Sequence, residues 1–335
     1  MPSTSHAFCE VIQGRCERSA PPLLLRGPVA NGDIDILSRV HRLQPRNELL
    51  NMADLIAEDE PILLQTSWPP AAPQHWSWPR VRQLLAGHTF RDVVRTDHYH
   101  YLVPDPRAPL EPLVDYHVPQ QFLNLTAERI LDELAAVDGA SSLDKGTDSA
   151  AFRRSWRTTG QRTISFSRVP EALKSALGTD ESLYATKDDA EVGSQFVWLS
   201  SPGVRTHTHF DSDRNAFVQL IGRKRFTLWH PNQTSRLCPY PRLHPLWHKS
   251  RVDFEAPDLT IPACGNYTQS EATVVDVSAG DVLYVPPFYW HTVETLSPSL
   301  SLSTISRWEG MYERLNAVYN YDYFFDVLES YEARV

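Results

Sequence analysis

Two imidazoles and a carboxylate crowd into Thr206-His-Thr-His-Phe-Asp211. In an extended segment alternate side chains share a face, so His209 and Asp211 are expected to point the same way. One neutral imidazole and one carboxylate are two ligands of a facial metal triad, and the third has to come from elsewhere in the fold. His291 is the best-placed candidate, because it follows Gly280-Asp-Val-Leu-Tyr-Val-Pro286 and opens the strand-like run after Tyr289-Trp290. Two histidines and one carboxylate leave three positions of an octahedral ion open, which suits non-haem Fe(II) when a cosubstrate and O2 must both coordinate. The triplet alone is a weak signal, since such spacings arise by chance on surface turns. His207 also competes, because alternation puts it on the face of His209.

The surrounding pattern has to supply the elements that position these groups. From Phe196 onward the segments FVWLS, NAFVQLIG, RFTLWH, TVVDV, DVLYVP, HTVETL and SLSLSTISRW follow one another with turn signals between them. Short strands with Gly, Pro and Asp punctuation read as a sandwich or barrel, not as a parallel sheet with crossover helices. In Arg223-Lys-Arg-Phe-Thr-Leu228, alternation sends Arg223 and Arg225 one way and Lys224 the other, with Phe226 and Leu228. An inward lysine without an anion is costly, so a bound anion is its natural partner.

Upstream, helices are expected at 46–58, at 78–86 ending before Gly87, at 126–137 with Thr126 as N-cap, and at 170–177 with Gly178 beyond. Residues 61–65 read as a strand, 100–120 as a proline-rich loop and 138–149 as an exposed loop. Residues 309–332 read as a helix. The expected organisation is an N-terminal helical and extended region (1–195) that wraps and extends the barrel, a catalytic core (196–308) and a C-terminal helix (309–335).

Bulk numbers fit this. The 335 residues are 41% hydrophobic and 22% charged, enough for a packed core and against wholesale disorder. A net charge of −9 disfavours generic binding to phosphate backbones. The four cysteines, at 9, 16, 238 and 264, form no CxxC pair and suggest neither a zinc site nor a disulfide framework. No secretory signal and no membrane-length apolar run is read, so the expected compartment is intracellular, cytoplasmic or nuclear.

Taken in order, Thr206, His209, Asp211, Asn215, Gly222-Arg-Lys224, Gly280-Asp281, Pro286, His291 and Trp308 resemble the pattern of the JmjC, or cupin-like, oxygenases. The likeness extends to the asparaginyl hydroxylase that restrains hypoxia-inducible factor and to the wybutosine-tRNA hydroxylase. It covers residues 196–308. It implies a double-stranded β-helix (jelly-roll) barrel with flanking helices, and an Fe(II)-dependent oxygenase using 2-oxoglutarate and O2. By resemblance His209, Asp211 and His291 hold the metal, and Thr206 and Lys224 hold the far carboxylate of 2-oxoglutarate. Asn215 is similar to a second-sphere amide, and Ser306 and Trp198 are further second-sphere candidates. Two positions depart from the asparaginyl hydroxylase: Ser306 stands where that enzyme has an Asn, and no Tyr lies near Ser165.

The substrate implied is a protein or peptide side chain to be hydroxylated, with Trp68, Pro69, Pro70, Trp76 and Trp78 as a groove wall or as mere packing. The alternatives are an RNA-modifying hydroxylase using Arg153, Arg154, Arg157 and Arg162, an N-methyl-lysine demethylase, and a non-catalytic cupin-fold binding protein. The C-terminal helix either covers the barrel or pairs two copies into a homodimer.

Overall fold

Alternating apolar and polar residues along the second half of the chain become two facing antiparallel sheets. The computed structural model describes residues 60–65, 73–96, 121–141, 162–177, 194–240, 246–252 and 267–306, with short strands at 9–12, 15–18, 25–26, 103–104 and 116–117. The first strands are β1 (Cys9–Ile12), β2 (Arg15–Arg18), β3 (Leu25–Arg26), β4 (Ile62–Gln65), β5 (Thr89–Thr96), β6 (Val103–Pro104), β7 (Tyr116–His117) and β8 (Gln121–Thr126). Then come β9 (Arg162–Arg168), β10 (Ser194–Ser200), β11 (Arg214–Ile221), β12 (Arg223–Trp229), β13 (Glu271–Ser278), β14 (Asp281–Val285), β15 (Trp290–Thr295) and β16 (Ser299–Ser306). The large sheet has the order β4-β14-β11-β16-β10-β9-β5-β8 and the small one β15-β12-β13-β3. Each of the segments expected as strands after Phe196 contains one of the strands β10 to β16. The result is a jelly-roll β fold.

Periodicity decides which face each strand buries. On the large sheet Val197, Leu199, Ala216, Val218, Leu220, Val282, Tyr284, Leu300 and Leu302 face outward into a core shared with the helices α1 (Trp78–Leu84), α2 (Ala127–Ser141) and α3 (Glu171–Leu177). Their inward neighbours Phe217, Leu283 and Val285 meet Phe226 and Leu228 of β12, Val275 and Val277 of β13 and Val293 of β15. Lys224 follows the inward rule and is 3% exposed. Burying both faces of the large sheet removes apolar area from water twice over, which is the main driving term of such a layered fold.

The helices carry the expected punctuation. Ser77 Oγ accepts from Arg80 N at the start of α1, and Gly87 beyond its end has φ +74°. Thr126 Oγ1 accepts from Arg129 N at the start of α2, and the Glu128 carboxylate accepts from Gly87 N at 2.8 Å, which ties the two helices together. Trp76 is buried in the outer core, so it packs and does not wall a groove. Among the described residues no helix is long and apolar enough to cross a membrane.

Several expectations differ. Residues 201–213 form no strand; His209 makes only isolated bridges, because the chain turns a corner between the sheets there. Helix α2 runs on to Ser141, four residues into the expected loop, since propagating a formed helix gains one bond per residue. The proline-rich stretch carries the short pair β6–β7. The expected helices at 46–58 and 309–332, and Trp68, Pro69, Pro70, Arg153, Arg154, Arg157, Gly178 and Trp308, lie outside the described residues.

The turn that delivers Lys224 depends on a glycine. Gly222, between β11 and β12, has φ +82°, and a Cβ there would collide with the Pro298 carbonyl oxygen. Gly222→Ala is expected to lower stability by roughly 1–3 kcal/mol through strain and overpacking. Chemical denaturation checks this, and an unchanged midpoint would contradict it.

Candidate metal centre

The three proposed ligands come from two corners of the chain stitched together by main-chain bonds. His209 N donates to His291 O at 3.0 Å and His291 N donates to His209 O at 2.7 Å. Phe288 N donates to Asp211 O at 2.8 Å, and Phe288 itself is a non-glycine residue at φ +65°. A left-handed phenylalanine persists only where its surroundings over-determine it. Here the ring is fully buried among Phe210, Trp290, Trp229 and Cys238. Trp290 Nε1 donates to Thr234 Oγ1 at 2.9 Å, which anchors the start of β15 and with it His291.

The side chains then converge. One ligand atom from each of His209, Asp211 and His291 lies within 4.8 Å of the others. His209 Nε2 is 3.9 Å from Asp211 Oδ1 and His291 Nε2 is 3.8 Å from Asp211 Oδ2. These separations are too long for hydrogen bonds. Each ring is held from behind: His209 Nδ1 bonds to the His207 carbonyl, and His291 Nδ1 bonds to the Tyr289 carbonyl at 2.9 Å. A carbonyl only accepts, so both Nδ1 atoms carry a proton, and Nε2 is the ring atom that each histidine turns toward the carboxylate. That is the outer-shell support metal-binding histidines ordinarily have. Burial, with His291 and Lys249 adding to it, holds His209 well below the usual imidazole range, so it is neutral as ligation requires.

His207 does not join the group. Its ring is buried and its Nε2 lies 2.7 Å from the Ser250 carbonyl oxygen. The segment is bent, not an ideal strand, so the alternation that made His207 a competitor of His209 does not hold there. His207→Ala is expected to cost about 1–3 kcal/mol of stability while leaving metal affinity within a few-fold. Thermal melting and metal titration on the same preparation check both halves.

The other candidates fall as follows. Thr206 sits across from Val293; its Oγ1 accepts from Val293 N at 2.9 Å and therefore keeps its own proton to donate. Lys224 has no carboxylate partner among the described residues; its ammonium lies 5.4 Å from the Phe217 ring and 5.7 Å from the Trp198 ring. Burial lowers its pKa to about 7. Asn215 on β11 is buried, and its Oδ1 has no hydrogen-bond partner among the described residues. Trp198 donates through Nε1 to Ser303 Oγ at 3.0 Å. Ser306 ends β16 across from Arg214.

Sequence reasoning passed over His248 and Lys249. An isolated bridge joins Lys249 to His209, and both side chains feel Asp211. Burial lowers His248 to about 4 and Lys249 to about 8, with Asp211 opposing the shift in each. The cysteine reading also needs correction: Cys238 is disulfide-bonded. A thiol count without CxxC spacing carries no information on pairs joined across a fold.

The family model for the cupin-like domain matches residues 122–326. JmjC domain-containing protein D of Dictyostelium discoideum is 33% identical over 137 residues, 40% of this chain and 29% of that protein. Lysine-specific demethylase 8 of Danio rerio is 30% identical over 140 residues, 41% of this chain and 33% of that protein. HSPB1-associated protein 1 of Rattus norvegicus is 35% identical over 106 residues, 30% of this chain and 21% of that protein. The chain thus spans a third or less of the length of these curated relatives.

Proposed function

The chain belongs to the cupin-like domain family, and from that premise we propose that it is an Fe(II)- and 2-oxoglutarate-dependent oxygenase that hydroxylates a protein side chain. His209, Asp211 and His291 are the metal ligands in this reading. The observation that carries it is the convergence of two Nε2 atoms on one carboxylate, at 3.9 and 3.8 Å, with each ring held by a carbonyl at Nδ1. Two imidazoles and one carboxylate fit a divalent iron centre with open positions.

The chain's own residues also fit the cosubstrate. Leu228, across from His291, and Lys224 are four positions apart on β12, about 13 Å along the strand. A five-carbon diacid held at the metal by one end would, together with a lysine side chain, span such a gap. Lys224 neutralises the far carboxylate and the Thr206 hydroxyl donates to it. The two aromatic rings beside the ammonium keep water away and strengthen that pairing. When bound, iron with O2 and 2-oxoglutarate supplies oxidation of a C–H bond, one oxygen atom going to substrate and the other to succinate, with release of CO2.

A protein substrate is favoured by the net charge of −9, which disfavours RNA. The demethylase reading draws on relatives named as lysine-specific demethylases. Succinate release across peptide, methylated-histone and tRNA pools tests the proposal. A gain of one oxygen on a peptide is expected. Formaldehyde in step with succinate would replace it with demethylation, and turnover on tRNA alone would replace it with RNA hydroxylation.

A further inference from the structure

The large sheet turns a row of polar side chains toward the space between the sheets. On β16 Leu300 and Leu302 pack into the outer core, so the alternating Ser299, Ser301 and Ser303 face inward, and all three are buried. Trp198 on β10 lies directly across from Ser301; on the other side of β16, Gln219 is across from Ser301 and Phe217 is across from Ser303. Cross-strand partners share a face, so these side chains form one inward patch. Lys224 reaches it from the facing sheet, with its ammonium 5.7 Å from the Trp198 ring and 5.4 Å from the Phe217 ring.

Part of the patch is satisfied internally. Ser303 Oγ accepts from Trp198 Nε1, Gln219 Nε2 donates to Ile221 O at 2.7 Å, and Ser200 Oγ lies 3.2 Å from Ser299 Oγ. Two atoms are not satisfied: among the described residues Ser301 Oγ and Gln219 Oε1 have no hydrogen-bond partner, although both residues are 0% exposed. Buried polar groups are nearly always paired, so orphans on the patch that Lys224 reaches, where the ammonium lacks a carboxylate partner among the described residues, mark a place for a ligand. An anionic oxygen would take hydrogen bonds from both the Ser301 hydroxyl and the ammonium, whereas Gln219 Oε1 only accepts and needs a separate donor.

We propose that Ser301 is a further 2-oxoglutarate-binding residue, its hydroxyl donating to the far carboxylate beside Lys224, with Gln219 Oε1 closing the floor of the pocket by accepting from a water bound there. This rests on the oxygenase reading of the site. The ammonium supplies charge, and the hydroxyl supplies direction. A serine repeat on a buried strand, which contributes little to packing, gains a purpose in this way.

The test is calorimetric binding of 2-oxoglutarate to the full chain loaded with Mn(II), which supports no turnover. Ser301→Ala is expected to weaken binding about tenfold or more, the loss of one hydrogen bond to a charged group. Its thermal midpoint should not fall, because an unpaired hydroxyl is removed. 2-Oxobutanoate chelates the metal but has no far carboxylate, so its affinity, measured by competition, should be the same in both proteins. Ser301→Ala binding 2-oxoglutarate as tightly as the parent would overturn the proposal, as would an equal loss for both oxo acids. A parent chain that binds no 2-oxoglutarate would overturn the oxygenase reading and this inference with it. A parent that binds while Ser301→Ala is unaffected would overturn this inference alone.

Discussion

Asp211→Ala is expected to lower Fe(II) affinity by more than about 100-fold, since even outer-shell partners of a metal site typically cost 10–100-fold. Substrate-coupled succinate formation should fall to background. In the proposed ligand set the change removes one of three donors and the single negative charge that would offset the ion. It should leave the barrel folded, because the carboxylate is 38% exposed and the link to Phe288 runs through the Asp211 main-chain oxygen. Equilibrium metal titration and circular dichroism on one preparation separate loss of ligand from loss of fold. Iron affinity within a few-fold of the parent would remove Asp211 from the ligand set.

Lys224→Met should raise the 2-oxoglutarate dissociation constant by a factor of about 30 or more, corresponding to about 2–5 kcal/mol for unpairing a buried charge. Iron affinity should change little. The same position predicts a pH dependence. Burial lowers Lys224 from 10.5 to about 7, so the ammonium is the disfavoured form in the folded chain. The unfolded chain then binds more protons between these two values, and stability without ligand rises with pH across that window. A carboxylate reverses the preference, because it pairs only with the ammonium. 2-Oxoglutarate binding should therefore take up a proton and weaken as pH climbs from about 7 toward 9. Lys224→Met should abolish the dependence and raise the stability of the ligand-free chain at neutral pH. Affinity that is flat with pH in the parent and unchanged in the variant would assign the carboxylate to another cation.

Much of this site was legible because short-range rules governed it. Lys224 could be placed inward from its alternation with Phe226 and Leu228, and the strands after Phe196 could be read from turn residues and apolar runs. Other features depend on contacts far apart in sequence. Lys249 reaches His209 through a single bridge between irregular segments, which no local period encodes. His207 looked equivalent to His209 by alternation, yet the bend of the segment turns its ring onto the Ser250 carbonyl. The serines of β16 mislead in the opposite direction. Ser-Leu alternation ordinarily marks a strand with one wet face, whereas here the serine face is buried against a second sheet. Burial of a polar face is a property of the layer that covers it, and the covering strands β12, β13 and β15 are separate in the chain.

In the proposed reading His209, Asp211 and His291 hold an iron to which 2-oxoglutarate binds. Anaerobic titration of Fe(II) into the full chain with saturating 2-oxoglutarate, followed by visible absorption, tests it most directly. A charge-transfer band requires the oxo acid and the iron to be bound to each other. The band should grow to saturation at one iron per chain and be absent in Asp211→Ala and His291→Ala. Iron bound without the band, or a band unchanged in both variants, would contradict the account.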